Sequence, residues 1–350
     1  MDKKRVTVYD IAKTTGVSAS TVTRALNGQK GVGEKMRDAI ITKAHEMGYR
    51  TNLIAKSLQR EKLRIGFIVN ERIQGFNDRV LDGAKCADRE LVDFNIEGRF
   101  AMLPKTTLSN SIRAEISRMA DEGVDGIVFL PSTEGNFDEI IAEIAQKDIA
   151  VGTVVRKYLH PNVAFSVYPD RKRAGSIAAD LFHISGMTPG SEILITIDYS
   201  VGVHTDCIEG FNASNALYGF RTEIIRHFDD PDIAYSLVSR YLNENPHLKG
   251  IYCTTGMTES ICGAIRDMHR SDIRVVGTEI TKETGKCYKD GGLMAALFQD
   301  PFQQGRNAFR TMYEYLESRK HDSIPDILIN PEIVVPGNLH YYEQFIMSQE

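Results

Sequence analysis

The stretch VTVYDIAKTTGVSASTVTRALNG, residues 6–28, decides how the front of this 350-residue chain folds. Thr7 stands three residues before Asp10, a spacing typical of a capping box, so a helix is expected to begin there. Gly16 follows the apolar stripe of that helix and can end it in a left-handed conformation. Ser18 can then cap a second helix. The stretch therefore predicts two short helices joined by a glycine-containing turn.

The second helix has one apolar side. Val22 and Leu26 lie four residues apart and can pack inward with Ile11 and Val17. The residues left on the outer side are Ala19, Ser20, Thr23 and Arg24. Such a pair of helices forms a helix-turn-helix, whose second helix can enter the major groove of DNA. Structural helical bundles use the same spacing, so the spacing alone leaves both interpretations open.

The outer side of the second helix carries residues suited to reading bases. Arg24 can donate two hydrogen bonds to guanine. Ala19 and Ser20 are short and stand near the start of the helix, where they permit close approach to base edges or to a thymine methyl group. These residues favour a DNA-binding role for the helix pair.

The next segments complete a small domain. Residues 31–49 place Met36, Ile40, Ala44 and Met47 at helical spacing, which predicts a third helix that closes the core. Residues 50–62 are basic, yet they are more apolar than a solvated linker requires. That composition is typical of a hinge helix that orders only when a partner buries it.

Charge is distributed unevenly along the chain. Residues 1–60 hold 12 Lys and Arg against 5 Asp and Glu, whereas residues 61–350 hold 30 against 42. A basic head on an acidic body suits a polyanionic partner, with a solvated basic face as the alternative. No apolar run of membrane-spanning length and no signal peptide is evident, so we expect a cytoplasmic protein with no membrane partner. Five scattered cysteines indicate buried or incidental thiols.

The body of the chain alternates short apolar runs with amphipathic stretches. The apolar runs are LRIGFIV (63–69), GVDGIVFL (123–130), SEILITI (191–197), LKGIYCTT (248–255) and IRVVGTE (273–279). This alternation predicts an α/β fold, a parallel sheet covered by helices on both faces. No phosphate loop, dinucleotide fingerprint, nucleophile elbow or HExxH motif occurs, so we expect neither a cofactor, nor a metal, nor catalysis.

The motifs of the front segment resemble those of the LacI/GalR family of bacterial transcription regulators. The stretch 6–28, followed by GYRTN and AKSL, stands in the family's order and spacing. The resemblance implies binding to double-stranded operator DNA by a homodimer. It assigns phosphate or headpiece contacts to Thr7, Tyr9, Ser18, Thr21 and Asn27, major-groove contacts to Ala19, Ser20 and Arg24, and hinge-helix contacts to Asn52, Ala55 and Leu58. Leu58 would wedge into the minor groove, and an ordinary packing leucine is the alternative.

The resemblance also implies a fold class and domain limits. It predicts an N-terminal all-α helix-turn-helix headpiece and a two-subdomain periplasmic-binding-protein-like core of doubly wound parallel sheets. The expected limits are 1–50 for the headpiece, 51–62 for the hinge helix and 63–350 for the core. Within the core, subdomain one is expected at about 63–166 and 299–326, and subdomain two at about 167–298 and 327–350. A small effector is expected in the cleft between these subdomains, outside the carboxyl ends of the strands.

Several positions around the expected cleft depart from the family pattern. Cys207 stands where an arginine is usual, and cations stand at Arg156, Lys157 and Arg171. The candidate effector-binding residues are Phe76, Arg156, Lys157, Asp170, Arg171, Cys207, Thr255, Glu279 and Gln299. Three cations suggest an anionic effector such as a sugar acid or sugar phosphate. The alternatives are a basic solvated rim and, for Gln299, an amide that caps a hinge.

The sequence thus predicts a DNA-binding transcriptional regulator, most simply a repressor of a carbohydrate catabolism or transport operon. Its expected partners are operator DNA, a second copy of the chain and a sugar, polyol or sugar acid that induces or corepresses. The other interpretation is a sugar-binding protein of the transport type with no regulatory role. That protein would share the body but would not need the basic headpiece.

Overall fold

A computed structural model describes most of the chain. The described residues are 6–26, 31–47, 61–71, 75–104, 109–133, 135–198, 202, 204–227, 230–290, 292–318 and 324–342. The chain divides into a small unit, residues 1–61 with 93–95, and a large unit that holds the rest. Asn27, Asn52, Ala55, Leu58 and the expected hinge helix lie outside the described residues, so their roles stay predictions.

The small unit contains three helices around one apolar cluster. They are α1 (Val8–Thr15), α2 (Ala19–Leu26) and α3 (Glu34–Glu46). The buried members of the cluster are Ile11, Ala12, Val22, Ala25, Ile40 and Ala44. Each helix contributes two side chains, so none of the three could bury its apolar face alone. The predicted helix-turn-helix with a third closing helix is therefore confirmed.

Capping fixes both ends of α1. The Thr7 backbone N–H donates to Asp10 Oδ2 over 2.8 Å, and the Asp10 N–H donates to Thr7 Oγ1 over 3.3 Å. Gly16 ends the helix at φ +70, a conformation that glycine adopts without steric cost. Ser18 Oγ accepts the Thr21 N–H over 3.1 Å at the start of α2. The capping box and both turn residues are as predicted.

Three packing details of the headpiece differ from the sequence prediction. Met36 is 45% exposed rather than inward, because α3 presents Ile40 and Ala44 to the cluster. Ala19 is half-buried against the cluster, since it lies three residues before Val22 on the same face of α2. Leu26 is only half-buried, and its neighbour Ala25 takes the inner position.

The large unit is built on two six-stranded sheets. The strands of the first sheet are β1 (Leu63–Asn70), β2 (Ile96–Leu103), β3 (Gly126–Phe129), β4 (Ala150–Val154), β5 (Val163–Pro169) and β11 (Ile327–Ile329). The strands of the second are β6 (Glu192–Asp198), β7 (Arg221–His227), β8 (Leu248–Cys253), β9 (Arg274–Thr278), β10 (Leu293–Phe298) and β12 (Glu332–Val334). Their orders are β11-β5-β4-β3-β1-β2 and β12-β10-β9-β8-β6-β7. All pairs are parallel except β10 with β12.

Helices connect the strands of each sheet. They are α4 (Asn77–Glu90), α5 (Ser109–Asp121), α6 (Asp138–Gln146), α7 (Arg171–Ile184), α8 (His204–Tyr218), α9 (Pro231–Glu244), α10 (Thr258–Asp267), α11 (Thr284–Asp290) and α12 (Pro301–Ser318). We call the first sheet with its helices the first lobe, and the second sheet with its helices the second lobe. The predicted α/β core of two parallel-dominated sheets is confirmed.

The chain passes between the lobes three times, after β5, after β10 and after β11. The predicted boundaries at 166 and 326 fall three residues early. Residues 167–169 and 327–329 pair with each other in parallel register as part of the first sheet. Backbone hydrogen bonds therefore keep both segments in the first lobe, and the passages begin at Asp170 and Asn330.

Two glycines bring α7 and α8 into backbone contact. A Cβ on Gly175 would lie 1.9 Å from the Cys207 carbonyl oxygen, and a Cβ on Gly210 would lie 1.7 Å from the Lys172 carbonyl oxygen. Only hydrogen atoms fit there, so each helix needs a glycine where the other crosses it. This close approach places the start of α7 beside the start of α8. In the part of the chain that the structure describes, no helix is long and apolar enough to cross a membrane.

Candidate DNA interface and ligand cleft

The outward face of α2 carries the predicted base-reading residues. Ser20 and Arg24 are exposed, four residues apart, and Arg24 Nη2 lies 3.5 Å from Ser20 Oγ. Ser18 Oγ also lies 2.8 Å from the hydroxyls of Ser20 and Thr21. These side chains form one polar surface that runs from the amino end of the helix, the end that approaches base edges in a helix-turn-helix, to Arg24 in its last turn.

The start of α1 supplies a second polar surface. Tyr9 is 77% exposed, a high value for an aromatic side chain, and its hydroxyl is available to a phosphate. The Thr7 hydroxyl instead lies 2.7 Å from Asp10 Oδ2 within the capping box. Thr7 therefore serves first to begin α1, and phosphate binding by its side chain would compete with that contact.

The large unit contains a cavity at the carboxyl ends of the second sheet, next to the chain passages between the lobes. The empty space there, including the part that opens to solvent, is about 310 Å³. The lining residues are Pro169, Asp170, Arg171, Ala174, Cys207, Tyr252, Thr254, Thr278, Leu297, Gln299 and Pro331. Four predicted effector residues, Asp170, Arg171, Cys207 and Gln299, are thus brought together.

Arg171 is the cation of this cavity. It is the first residue of α7 and is half-buried, and its Nη2 donates to the Val155 carbonyl oxygen over 3.1 Å. Burial lowers the pKa of its guanidinium, an effect that the nearby Cys207, Asp206 and Glu279 partly oppose. Among the described residues, Arg171 has no salt bridge, so its charge is only partly compensated.

Glu279 directly follows β9 and the lining residue Thr278; it does not itself line the cavity, but it is near enough to affect the pKa of Arg171. Its backbone has φ +66, and its Oε1 atom is buried without a hydrogen-bond partner among the described residues. Burial raises the pKa of Glu279 to about 8, although Gln299 and Arg171 act to lower it. The carboxyl group is therefore largely protonated at neutral pH and can donate as well as accept a hydrogen bond.

The floor of the cavity is neutral. Cys207 is 4% exposed, and burial raises its pKa to about 11, so the thiol stays protonated. Tyr252 is fully buried, and its hydroxyl has the weakly bonding Cys207 thiol nearby but no hydrogen-bond partner of normal geometry among the described residues. Burial also raises the pKa of Tyr252 well above its usual value. An unpaired buried hydroxyl is costly, and a polar ligand atom or a water would satisfy it.

His204 and Thr254 were not predicted as site residues, yet they stand at the same edge. The Thr254 hydroxyl donates to the Thr196 carbonyl over 2.9 Å, and it lies 2.8 Å from His204 Nδ1. Burial first, and then the charge of Arg171, lowers the pKa of His204 to about 4, so the ring is neutral at pH 7. The position of Thr254 just after β8 was the signal in the sequence that could have indicated it.

The remaining predicted effector residues lie outside the cavity lining. Lys157 Nζ pairs with Asp326 over 2.6 Å. Arg156 Nη1 lies 3.4 Å from the Pro131 carbonyl, and Thr255 is buried and accepts the Met257 N–H over 3.3 Å. Phe76 is 8% exposed at the start of α4. The three predicted cations are therefore not assembled in the cavity. Lys157 binds Asp326, and Arg156 lies near the Pro131 carbonyl of the first lobe. Among the described residues there is also no His, Cys, Asp and Glu cluster that could hold a metal ion.

The small unit and the large unit each match a known protein family. Residues 7–52 match the family described as bacterial regulatory proteins, lacI family, and residues 65–320 match the periplasmic binding protein domain. The second match covers most of the chain. The architecture is that of a helix-turn-helix regulator with a binding-protein core. The chain belongs to the LacI family of bacterial regulatory proteins, and its core belongs to the periplasmic binding protein domain family.

Named relatives span nearly the full chain. The HTH-type transcriptional regulator RegA of Clostridium saccharobutylicum is 23% identical over 337 residues, covering 93% of this chain and 97% of RegA. Catabolite control protein A of Priestia megaterium is 22% identical, covering 91% of this chain and 95% of that protein. The solved structure of a glucose-galactose binding protein from Geobacillus stearothermophilus has a TM-score of 0.69 at 20% identity, covering 80% of this chain and 99% of that one. This last likeness shows the fold of the core.

Proposed function

We propose that this DNA-binding transcriptional regulator acts as a homodimer whose affinity for operator DNA is set by a small sugar-like effector in the cavity beside Arg171. The observation that carries the proposal is the pairing of two surfaces in one chain. One is the exposed polar face of α2, with Ser20 and Arg24. The other is a polar cavity lined by Arg171 and Gln299, into which the buried Tyr252 residue also faces.

The chemistry of the cavity suits a hydroxylated ligand. Tyr252 Oη and Glu279 Oε1 lack partners among the described residues, and the Gln299 amide lies next to Glu279. Such groups can each exchange a hydrogen bond with a sugar hydroxyl. Cys207 is a buried, protonated thiol and His204 a neutral ring engaged by Thr254, so neither is activated as a nucleophile or base. The protein is therefore proposed to bind its effector without chemical conversion.

The effector is proposed to act through the two lobes. It lies where the chain passes between them, so its binding can favour one arrangement of the lobes over another. Coupling of this kind typically changes the affinity of a second site by about 1–3 kcal/mol. A dimer would present two recognition helices to two half-sites of a palindromic operator. The role proposed for this regulator is the repression of a carbohydrate operon in the bacterial cytoplasm.

Selection from a random duplex library with the full chain tests the DNA-binding role. We expect an enriched palindrome, with an affinity that falls steeply as salt concentration rises. Arg24→Ala should then cost about 1–3 kcal/mol on the selected site and relax specificity at one base pair. Lys43→Ala is the matched control, because Lys43 lies on α3 and pairs with Glu46 over 2.8 Å. If no sequence is enriched, a binding protein of the transport type becomes the better description.

A further inference from the structure

The cavity is lined by one half-buried cation, Arg171. Arg171 lines it, donates to the Val155 carbonyl, and forms no salt bridge with any described residue. A guanidinium has five N–H donors, so this single hydrogen bond leaves enough of them to hold a carboxylate with two parallel bonds. A partly desolvated charge is stabilised by an ion pair, so the free donors of Arg171 suit an anionic group of a ligand.

The carboxyl groups of Asp206 and Glu279 act on the Arg171 guanidinium, yet neither forms a salt bridge with it among the described residues. Glu279 is near enough to affect the guanidinium, but its Oε1 is buried and unpartnered among the described residues. Desolvation keeps the pKa of Glu279 at about 8. A protonated Glu279 offers an O–H donor next to the guanidinium.

The other cations of the region are engaged elsewhere. Lys157 lies 2.6 Å from Asp326, and Arg156 reaches toward the Pro131 carbonyl at 3.4 Å. Neither residue lines the cavity. Arg171 is therefore the cation that lines the cavity, and the Asp170 carboxylate that also lines it pairs with Arg173 over 3.4 Å. One guanidinium balances the single charge of a carboxylate, whereas a phosphate dianion would keep one charge uncompensated in a partly desolvated place.

We propose that the effector is a small hydroxylated carboxylic acid, whose carboxylate binds the Arg171 guanidinium while one of its oxygens accepts a hydrogen bond from Glu279. The ligand's hydroxyls then face Gln299 and the Tyr252 hydroxyl. This inference rests on the proposed effector site and names its ligand class. Of the three cations that the sequence suggested for effector binding, this inference retains Arg171 alone.

Isothermal titration of the full chain tests the ligand class directly. The probes are the common hexuronates and aldonates, each beside its neutral hexose or polyol and its hexose 6-phosphate. We expect at least one acid to bind, with its neutral parent and its phosphate ester at least tenfold weaker. Arg171→Gln should weaken that acid by about tenfold to a hundredfold, the range of a charge-assisted hydrogen bond. Arg171→Lys should restore part of the loss, because it keeps the charge but not the fork geometry.

Lys172→Gln is the matched control for Arg171→Gln. Lys172 follows Arg171 on α7, its side chain is 63% exposed, and it pairs only loosely with Glu209 at 3.4 Å. Its loss should change acid binding less than twofold, and far-UV circular dichroism of each variant checks that α7 still folds. The inference is overturned if a neutral sugar or a phosphate ester binds as well as every acid, if no acid binds, or if Arg171→Gln binds like the unmodified chain.

Operator binding separates this inference from the proposed function. An acid that binds through Arg171 but leaves operator affinity unchanged would overturn the proposed regulation and keep the ligand class. A neutral sugar that binds and changes operator affinity would overturn the ligand class and keep the regulation. An acid that binds through Arg171 and also changes operator affinity supports both the ligand class and the proposed regulation.

Discussion

Replacing Gly210 by alanine tests the packing that positions the cleft. The new Cβ would stand 1.7 Å from the Lys172 carbonyl oxygen, which is backbone and cannot rotate away. Helices α7 and α8 would have to separate by about 1 Å or more to restore van der Waals contact. Overpacking of this kind costs about 1–3 kcal/mol, and the helical preference of alanine over glycine offsets about 1 kcal/mol. Because backbone atoms clash, we expect Gly210→Ala to lower the free energy of unfolding by up to about 2 kcal/mol, the overpacking cost less the gain in helix preference.

Gly263→Ala is the matched control. Gly263 also lies inside a helix, α10, but its nearest neighbours would be 3.7 Å from a new Cβ. Alanine should therefore stabilise the protein there by up to about 1 kcal/mol. Urea titration followed by far-UV circular dichroism measures both variants. The reasoning is refuted if Gly210→Ala is as stable as Gly263→Ala, since that result would mean that α7 and α8 do not touch at this position.

Three further outcomes are expected. Because burial raises the pKa of Glu279 to about 8 from 4.5, the folded protein holds a proton that the unfolded chain releases. Glu279→Gln should therefore gain stability relative to the unmodified protein as pH rises from 5 to 8, and urea titrations that show a constant difference would contradict this. Thr7→Ala removes half of the α1 capping box and should cost about 1 kcal/mol, seen as faster amide hydrogen exchange in α1 but not in α4. Ellman's reagent should react quickly with Cys86, the half-exposed thiol, and with the four buried cysteines only after denaturation.

The headpiece could be predicted from sequence because its structure is set by local interactions. The capping pair Thr7 and Asp10, the turn at Gly16 and the spacing of Val22 from Ile11 all act within a few residues. Met36 shows that the spacing of apolar residues along the chain does not by itself determine which of them fill the core. Its spacing suited the inner face of α3, yet Ile40 and Ala44 fill the available core, which only the packing of all three helices determines.

The alternation of strands and helices in the core also followed from the sequence pattern, whereas the cavity chemistry did not. Spacing placed Arg156, Lys157 and Arg171 near the same cleft, but it could not show that Asp326 binds Lys157 from a position 169 residues later. The importance of Tyr252 was equally hidden, because a tyrosine in a buried strand is ordinarily a core residue. Its hydroxyl matters only once the surrounding residues are seen to leave it without a partner.

Arg171 joins the cavity to the first lobe. It begins α7 in the second lobe, while the carbonyl that accepts its hydrogen bond belongs to Val155, directly after β4 in the first. Val155 has φ +67, which is rare for a β-branched residue, so its conformation is held by its surroundings. An effector can change DNA affinity only if it binds two arrangements of the lobes unequally. A carboxylate on Arg171 would meet that condition, because the guanidinium that holds it also holds the Val155 carbonyl. Arg171 can bind the ligand carboxylate and the Val155 carbonyl at the same time only while the two lobes stay in contact here. The bound ligand would therefore favour the arrangement in which Arg171 bridges the lobes.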